Sequence, residues 1–155
     1  MFDHFHRYVV DSNTVIGDDD CPSGFFKLSQ EDISAAEKRL KVTFPPQLRM
    51  FFEKVGFGVW RMGVDDKKAT YNNNDLLYPG EIANLYLDGE HYRRPLEGFR
   101  PGEIPFFEVN LHDFLTMKPF ANNPNVVYDV GGEPLGDFEE FMSRLYKHAH
   151  FWLVD

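Results

Sequence analysis

Two pairs of histidines have the spacing of metal ligands, one pair near each end of the chain. They are His4 with His6, and His148 with His150. Side chains two residues apart share a face on a β-strand but point apart on an α-helix, and we expect a helix to end near the second pair. Because no third ligand is fixed nearby by spacing, the sequence predicts solvated histidines and no metal site.

Cys21 is the one cysteine of the chain, so an internal disulfide is impossible. It follows Asp18, Asp19 and Asp20, whose negative charge disfavours the thiolate that a nucleophile requires. The three aspartates also lack the alternating ligands, the glycine and the distal glutamate of a calcium loop. We expect an incidental loop thiol and a solvated acidic turn, with a patch that contacts a partner as the alternative for the aspartates.

Motifs for phosphate binding and acyl transfer are absent from the sequence. No glycine-rich loop ends in Gly-Lys-Ser or Gly-Lys-Thr, and we interpret Gly56 and Gly58 as the end of a helix. Ser23 and Ser29 lie in no Gly-x-Ser-x-Gly nucleophile elbow. The sequence therefore predicts no catalytic residue, no cofactor and no enzymatic activity. A deep cleft with converging titratable groups would contradict this prediction.

The chain is acidic. Its 155 residues include 25 acidic and 16 basic side chains, which gives a formal net charge of −9 with neutral histidines. This balance repels phosphate backbones, so it argues against direct nucleic-acid binding and suits a partner with a basic surface. Solubility alone is the alternative reason for an acidic surface.

Composition also limits the number of domains and the cellular location. With 43% hydrophobic residues and no internal repeat or linker, residues 1–155 are predicted to form one domain. No apolar run approaches the roughly 18 residues of a membrane span. No basic flank precedes an apolar block at the N-terminus, so no secretory signal is visible. We expect a cytoplasmic protein without membrane contact, a monomer or a weak dimer.

Two consecutive helices are predicted after the first 28 residues. Ser29, followed three residues later by Asp32, resembles a capping box, and an apolar stripe continues to Leu40. Pro46 suits the first turn of a second helix, because its missing N–H falls where no helical bond forms. Gly56 is a natural terminator for that helix.

The rest of the chain combines short strands with two further helices. Helical spacing predicts helices over residues 79–89 and about 137–148. Strand composition marks residues 58–62, 104–109 and 126–130. Pro105 favours an edge or a first position in the second of these strands. Because strands and helices do not alternate regularly, the order of elements predicts an α+β fold.

Three segments, in this order, resemble the SUKH superfamily. Residues 33–58 show its glutamate on the first helix, its proline bend, its aromatic second helix and its Gly-x-Gly exit. The matching residues are Glu37, Leu40, Val42, Phe44, Pro45, Phe51, Phe52, Gly56 and Gly58. Residues 76–82 (LLYPGEI) and 135–141 (LGDFEEF) resemble the middle segment and the closing helix of the superfamily. Lys41 departs from the pattern, in which glycine is common at this position.

The resemblance covers about residues 25–146 and implies a helix pair and a C-terminal helix packed on a mostly antiparallel sheet. The superfamily includes bacterial immunity proteins that neutralise toxins, many of them nucleases, and fungal regulators of cell-wall synthesis. The resemblance thus implies a non-enzymatic protein whose partner is a cognate toxin. The alternative is a regulatory or scaffold protein that binds another protein or a small ligand. In that case a pocket of Phe51, Phe52, Phe106 and Phe107 could hold an apolar ligand, unless these rings fill one another.

Acidic and aromatic residues in the middle of the chain are the candidates for contact with a partner. Loops on a rigid scaffold carry recognition, and interfaces concentrate binding energy in a few aromatic residues. The candidates are Trp60, Asp65, Asp66, Tyr71, Asp75, Glu81, Tyr86, Asp88, Glu90 and Tyr92. For Trp60 and Tyr86, a place in the core is the alternative.

Overall fold

The computed structural model describes residues 1–88 and 91–153. The α-helices are α1 (Gln30–Leu40), α2 (Pro46–Lys54), α3 (Pro79–Leu87) and α4 (Phe138–Lys147), and 3-10 helices cover Asp3–Tyr8 and Phe151–Leu153. The strands are β1 (Val9–Val10), β2 (Ser23–Phe26), β3 (Phe57–Trp60), β4 (Asp75–Leu76), β5 (Ile104–Asn110), β6 (Asp113–Met117), β7 (Val126–Tyr128) and β8 (Pro134–Asp137). The predicted α+β class is confirmed. Over the described ranges, no helix is both long and apolar enough to cross a bilayer.

The eight strands form one sheet whose spatial order follows the chain from β1 to β8. β1 and β2 are parallel, and every other neighbouring pair is antiparallel. Consecutive antiparallel strands can be joined by a tight turn, whereas helices inserted between them must pack on a face of the sheet. α1 and α2 lie in the connection from β2 to β3, and α3 lies in the connection from β4 to β5.

The pairing register separates the two faces of the sheet. Residues opposite one another on neighbouring strands point to the same side, and the register of β3 and β4 links Phe25 on β2 to Phe107 on β5. On that side the ring of Phe25 lies 5.4 Å from Phe51 of α2, and the ring of Phe107 lies 5.7 Å from Phe141 of α4. This face of the sheet and helices α2 and α4 therefore enclose the core.

The four phenylalanines considered for a ligand pocket are fully buried in that core. The ring of Phe106 lies 6.1 Å from that of Phe107, and Phe52 lies 5.4 Å from Phe44 at the bend before α2. Ring pairs at these separations contribute beyond the area that they bury. The rings thus fill one another, which was the alternative to a pocket.

Side-chain hydrogen bonds fix both ends of α1. Ser29 forms the predicted capping box: its hydroxyl accepts from the Asp32 N–H at 3.1 Å, and the Asp32 carboxylate accepts from the Ser29 N–H at 3.3 Å. Glu37 accepts from the backbone N–H of Phe44 at 2.8 Å and from Nε of Arg49 at 3.1 Å. The N–H of Phe44 lies in the bend, outside the helical ladder. Glu37 therefore joins the end of α1 to the bend and to α2.

Two glycines after α2 allow β3 to approach β2 closely. Gly56 has a φ of +122°, and a Cβ atom there would lie 1.8 Å from the carbonyl oxygen of Phe26. A Cβ atom at Gly58 would lie 2.1 Å from the carbonyl oxygen of Gly24. Any larger residue would force the two strands apart. The Gly-x-Gly exit thus follows the end of α2, as predicted, and also permits this strand pair.

β5 is not the edge strand that Pro105 suggested, because it lies between β4 and β6. Its pairs with β4 involve only Phe107 and Glu108. Pro105 lies beyond the pairs with β4 and opposite Thr116 of β6, beside a register shift of the kind at which proline is tolerated. The edge alternative was wrong, whereas Pro105 does lie close to the start of β5, as its second residue.

The sequence patterns did not predict β1, β2 and β8, nor the first 3-10 helix. Phe2 and Phe5 from this segment are buried. The ring of Phe5 lies 5.7 Å from Phe25 and 5.2 Å from Trp60. The N-terminal residues thus complete the core, although their apolar spacing is too short to indicate a helix.

Lys41, the departure from the SUKH pattern, adopts a left-handed conformation after α1 with a φ of 57°. This geometry is costly for any residue with a Cβ atom and free of strain for glycine. We expect Lys41→Gly to raise the free energy of unfolding by about 0.5–1 kcal/mol, measured by chemical denaturation. Lys38→Gly within α1 is the matched control and should lower it by about 1 kcal/mol. If both variants lowered the free energy of unfolding equally, Lys41 would not be strained.

Candidate functional site

On the face of the sheet opposite α2 and α4, strands β2, β3 and β4 form the floor of a groove of about 640 Å³. Phe57 and Val59 lie on this floor together, because alternate residues of a strand share a face. The ring of Tyr78 lies 5.1 Å from Phe57, Ile16 comes from the loop after β1, and the exposed Tyr92 completes the lining. The groove is therefore largely apolar and aromatic.

Charged side chains from α3, from β5 and from the segment after α3 meet at the groove. Nη1 of Arg93 lies 3.2 Å from the Glu108 carboxylate, and Nη2 of Arg93 pairs with Glu81. Nε2 of His91 lies 3.3 Å from Glu81, and its Nδ1 accepts from the backbone N–H of Arg93 at 3.2 Å. Glu108 is only 2% exposed. Because a buried carboxylate needs a cation, Arg93 serves as the counterion of both glutamates.

Asp75 differs from these glutamates: its carboxylate has no hydrogen bond and no ion pair with any part of the chain that the structure describes. In the register it lies opposite Val59 on β3 and Glu108 on β5. Burial disfavours the charged form and the Glu108 carboxylate repels it, so the pKa of Asp75 is raised to about 6. The charges of Arg61 and Arg93 act in the opposite direction and do not cancel these effects.

Comparison with known sequences identifies the family. The family model described as "SMI1 / KNR4 family (SUKH-1)" matches residues 27–148. The chain belongs to this family. A relative from Bacillus subtilis (strain 168), named "Immunity protein YxxD", is 24% identical over 134 residues, which cover 83% of this chain and 87% of the relative. No solved structure matches at a significant level. The resemblance to the SUKH superfamily is confirmed.

Two of the residues predicted to contact a partner are held inside this SUKH-1 fold. Trp60 is 1% exposed, and its Nε1–H donates to the Leu145 carbonyl at 2.8 Å. The Asp66 carboxylate accepts from the backbone N–H groups of Gly63 and Ala149, each at 2.8 Å. Burial acts to raise the pKa of Asp66, but these hydrogen bonds hold it below its ordinary value. Since both side chains are satisfied internally, we exclude them from the contact surface.

The remaining candidates divide between the groove and other surfaces. Asp75, Glu81 and Tyr92 line the groove together. Glu90 lies outside the described residues. The others are not part of the groove lining: Asp65, Tyr71 and Asp88 are exposed, and Tyr86 is half-buried.

Sequence reasoning did not single out Arg93, His91 or Glu108, which set the charge beside the groove. One signal was available for Glu108, because it interrupts the otherwise apolar run of β5 before Asn110. A charged residue in a buried strand requires a partner and often marks a functional position. Arg93 and His91 gave no comparable signal, since charged residues in a loop are common.

The structure provides few groups for metal binding or nucleophilic catalysis. Among residues 1–88 and 91–153, no group of three or more histidine, cysteine, aspartate or glutamate residues is placed to hold a metal ion. Nδ1 of His148 lies 3.1 Å from Asp66. Cys21 is half-buried, with its Sγ 3.7 Å from the carbonyl oxygen of Ser23. Neither His148 nor Cys21 lines the groove.

Asp75 is expected to destabilise the fold at neutral pH. Its pKa is about 6 in the folded protein against an ordinary value of 3.8, so stability falls as the pH rises from about 4 to about 6. We expect Asp75→Asn to raise the free energy of unfolding at pH 7.5 by about 1–3 kcal/mol, with a smaller effect at pH 4. Urea denaturation at both pH values measures this difference.

The exposed Asp113 on β6 provides the control for Asp75→Asn. Asp113→Asn removes the same charge without relieving burial, and exposed substitutions of this kind change stability by less than about 0.5 kcal/mol. If Asp75→Asn were destabilising at pH 7.5, Asp75 would have a stabilising partner that the geometry does not contain.

Proposed function

We propose that this SUKH-1 protein is an immunity protein, which binds and neutralises a cognate bacterial toxin. The main support is the similarity to the Bacillus subtilis protein named immunity protein YxxD, which extends over 83% of this chain and 87% of the relative. The family model matches residues 27–148, a range that includes helices α1 to α4 and the strands between them, so the family assignment rests on more than one motif.

The charge of the chain supports a toxin with a basic surface, and we propose a nuclease. A nuclease must be basic around its substrate, and an inhibitor with a net charge of −9 would be attracted to that surface and compete with phosphate. Electrostatic attraction of this kind accelerates association more than it increases the final affinity. We therefore expect the association rate to fall steeply with added salt.

The groove is the surface that we propose for the toxin contact. It combines Asp75 and Glu81 with exposed aromatic surface from Tyr78 and Tyr92. Aromatic residues in a partly enclosed site are the side chains that most often dominate binding energy. The floor of the groove is formed by strands, so the floor residues need little ordering when a partner binds.

Titratable groups converge in the groove, which is also a feature of active sites. Arg93 pairs with both Glu81 and Glu108 here, and no serine, threonine or cysteine is among the described residues that line the groove. The pKa of Asp75, raised to about 6, is suited to a general acid. One acid without a nucleophile or a second free base is a poor catalytic set, so we propose binding without chemistry.

The proposed function is tested by co-expression with the product of a neighbouring toxin gene. We expect the two proteins to elute together in gel filtration, and cells that produce the toxin to grow only when this protein is present. A regulatory or scaffold protein would leave the toxin lethal. Separate elution together with toxin lethality would overturn the proposal.

Tyr92→Ala is expected to weaken the complex with the toxin at least tenfold, because an exposed aromatic side chain of the groove would be lost. Phe120→Ala is the matched control, since Tyr92 and Phe120 are 76% and 78% exposed and Phe120 does not line the groove. Isothermal titration calorimetry measures both dissociation constants. If the toxin bound both variants with equal affinity, the contact surface would lie outside the groove.

A further inference from the structure

The groove and the buried residue beside it contain more carboxylates than Arg93 neutralises. Asp75 and Glu81 line the groove, Glu108 is buried beside it, and Arg93 is shared between Glu81 and Glu108. The Asp75 carboxylate is therefore left without a hydrogen-bonded partner in the described ranges. A charge in that position is costly unless a cation approaches it.

Arg61, the other cation near Asp75, is committed elsewhere. Its Nε donates to the carbonyl oxygen of Asn73 at 3.1 Å, and its Nη1 donates to the carbonyl oxygen of Gly17. These bonds tie the loop after β1 to the end of β3, so Arg61 cannot turn towards Asp75 without releasing that loop. In the described ranges, then, no cation pairs directly with Asp75, and a partner could supply one.

The surroundings of Asp75 suit a guanidinium group better than a small cation. Phe57, Tyr78 and Tyr92 present aromatic surface to the groove, and arginine stacks on such rings while it donates two parallel hydrogen bonds to a carboxylate. A volume of about 640 Å³ is within the roughly 300–1,000 Å³ typical of binding sites. The groove is therefore large enough for a long side chain together with part of the peptide segment that carries that side chain.

We propose that the groove receives an arginine side chain of the toxin, whose guanidinium pairs with the Asp75 carboxylate while its alkyl stem lies against Val59 and Tyr92. This inference rests on the proposed function, because it names the chemistry of the toxin contact. The excess charge of the groove and the net charge of the chain both favour a basic segment as the occupant. Pairing with a guanidinium would remove the penalty that Asp75 imposes on the free protein.

The inference is tested with a peptide probe and the wild-type protein alone. The probe is the capped tripeptide Ac-Gly-Arg-Gly-NH₂, and the control contains citrulline, which has the shape of arginine without its charge. We expect the arginine peptide to shift the backbone amide resonances of Val59, Asp75 and Leu76 with a millimolar dissociation constant. The citrulline peptide should bind at least fivefold more weakly.

Asp75→Asn tests the same contact from the side of the protein. It should weaken binding of the arginine peptide at least fivefold, whereas Asp113→Asn, with the same change in net charge on an exposed site, should not. If the citrulline peptide, or a third probe with leucine in place of arginine, bound as well as the arginine peptide, the groove would have an apolar occupant and the inference would be overturned. Equal affinity of the two variants would also overturn it.

Binding of the arginine peptide should depend on pH in a specific direction. Asp75 has a pKa of about 6, so about one tenth of it is ionised at pH 5 and nearly all at pH 7.5. The affinity should fall about tenfold between pH 7.5 and pH 5, and Asp75→Asn should remove that dependence. The other charged or titratable groups facing the site are Glu108 on β5, Glu81 on α3, Arg61 after β3, and His91 and Arg93 after α3. If the affinity of Asp75→Asn for the arginine peptide still depended on pH, that dependence would come from these other groups. The assignment of the contact to Asp75 would then be overturned.

The two levels of the proposal fail separately. If this protein neutralises the toxin but neither peptide shifts the groove resonances, the arginine contact is wrong and the immunity role stands. If the arginine peptide binds at Asp75 but the toxin neither elutes with the protein nor is neutralised, the groove recognises arginine and the immunity role is wrong.

Discussion

The alternation of side chains along β2, β3, β4 and β5 is the constraint on which both the core and the groove depend. Once the register places Phe25 and Phe107 against α2 and α4, the intervening residues must point to the other face. That second set includes Val59, Asp75 and Glu108. A shift of one residue in β4 would bury Asp75 beneath the helices, and a shift in any of the four strands would turn the core residues of that strand to the other face. The stability of the core therefore fixes the position of the charges.

The charges beside the groove are expected to lower stability, which argues that they serve another purpose. Burial raises the pKa of Glu108 as well as that of Asp75, and only Glu108 has a cation in contact. Apolar residues at either position would pack without this penalty. Functional sites commonly carry such local costs, which the rest of the molecule offsets. Here the offset comes from the aromatic core around Phe51 and Trp60.

Local signals predicted the helices well, because each boundary depends on residues adjacent in the sequence. Ser29 caps α1, and Pro46 opens α2, where the patterns placed them. Strand order and partner choice depend on contacts between distant residues, so β2 and the interior position of β5 were missed. For the same reason the groove was predicted only in part: Asp75 was singled out, but its neighbour Glu108 is 33 positions further along the chain and joins it only through the register.

Membership in the SUKH-1 family accounts for most of the groove but not for all of it. The matched residues begin at 27, so β3, β4 and β5 lie within the match, whereas Ile16 and Phe26 precede it. The loop that carries Ile16 is anchored by Arg61 through the carbonyl of Gly17. Ile16 and the end of β2 therefore lie outside the family match, and the loop that carries Ile16 forms part of the rim that decides which segments fit the groove. Under the proposed function, we therefore expect the N-terminal residues to contribute to discrimination between toxins.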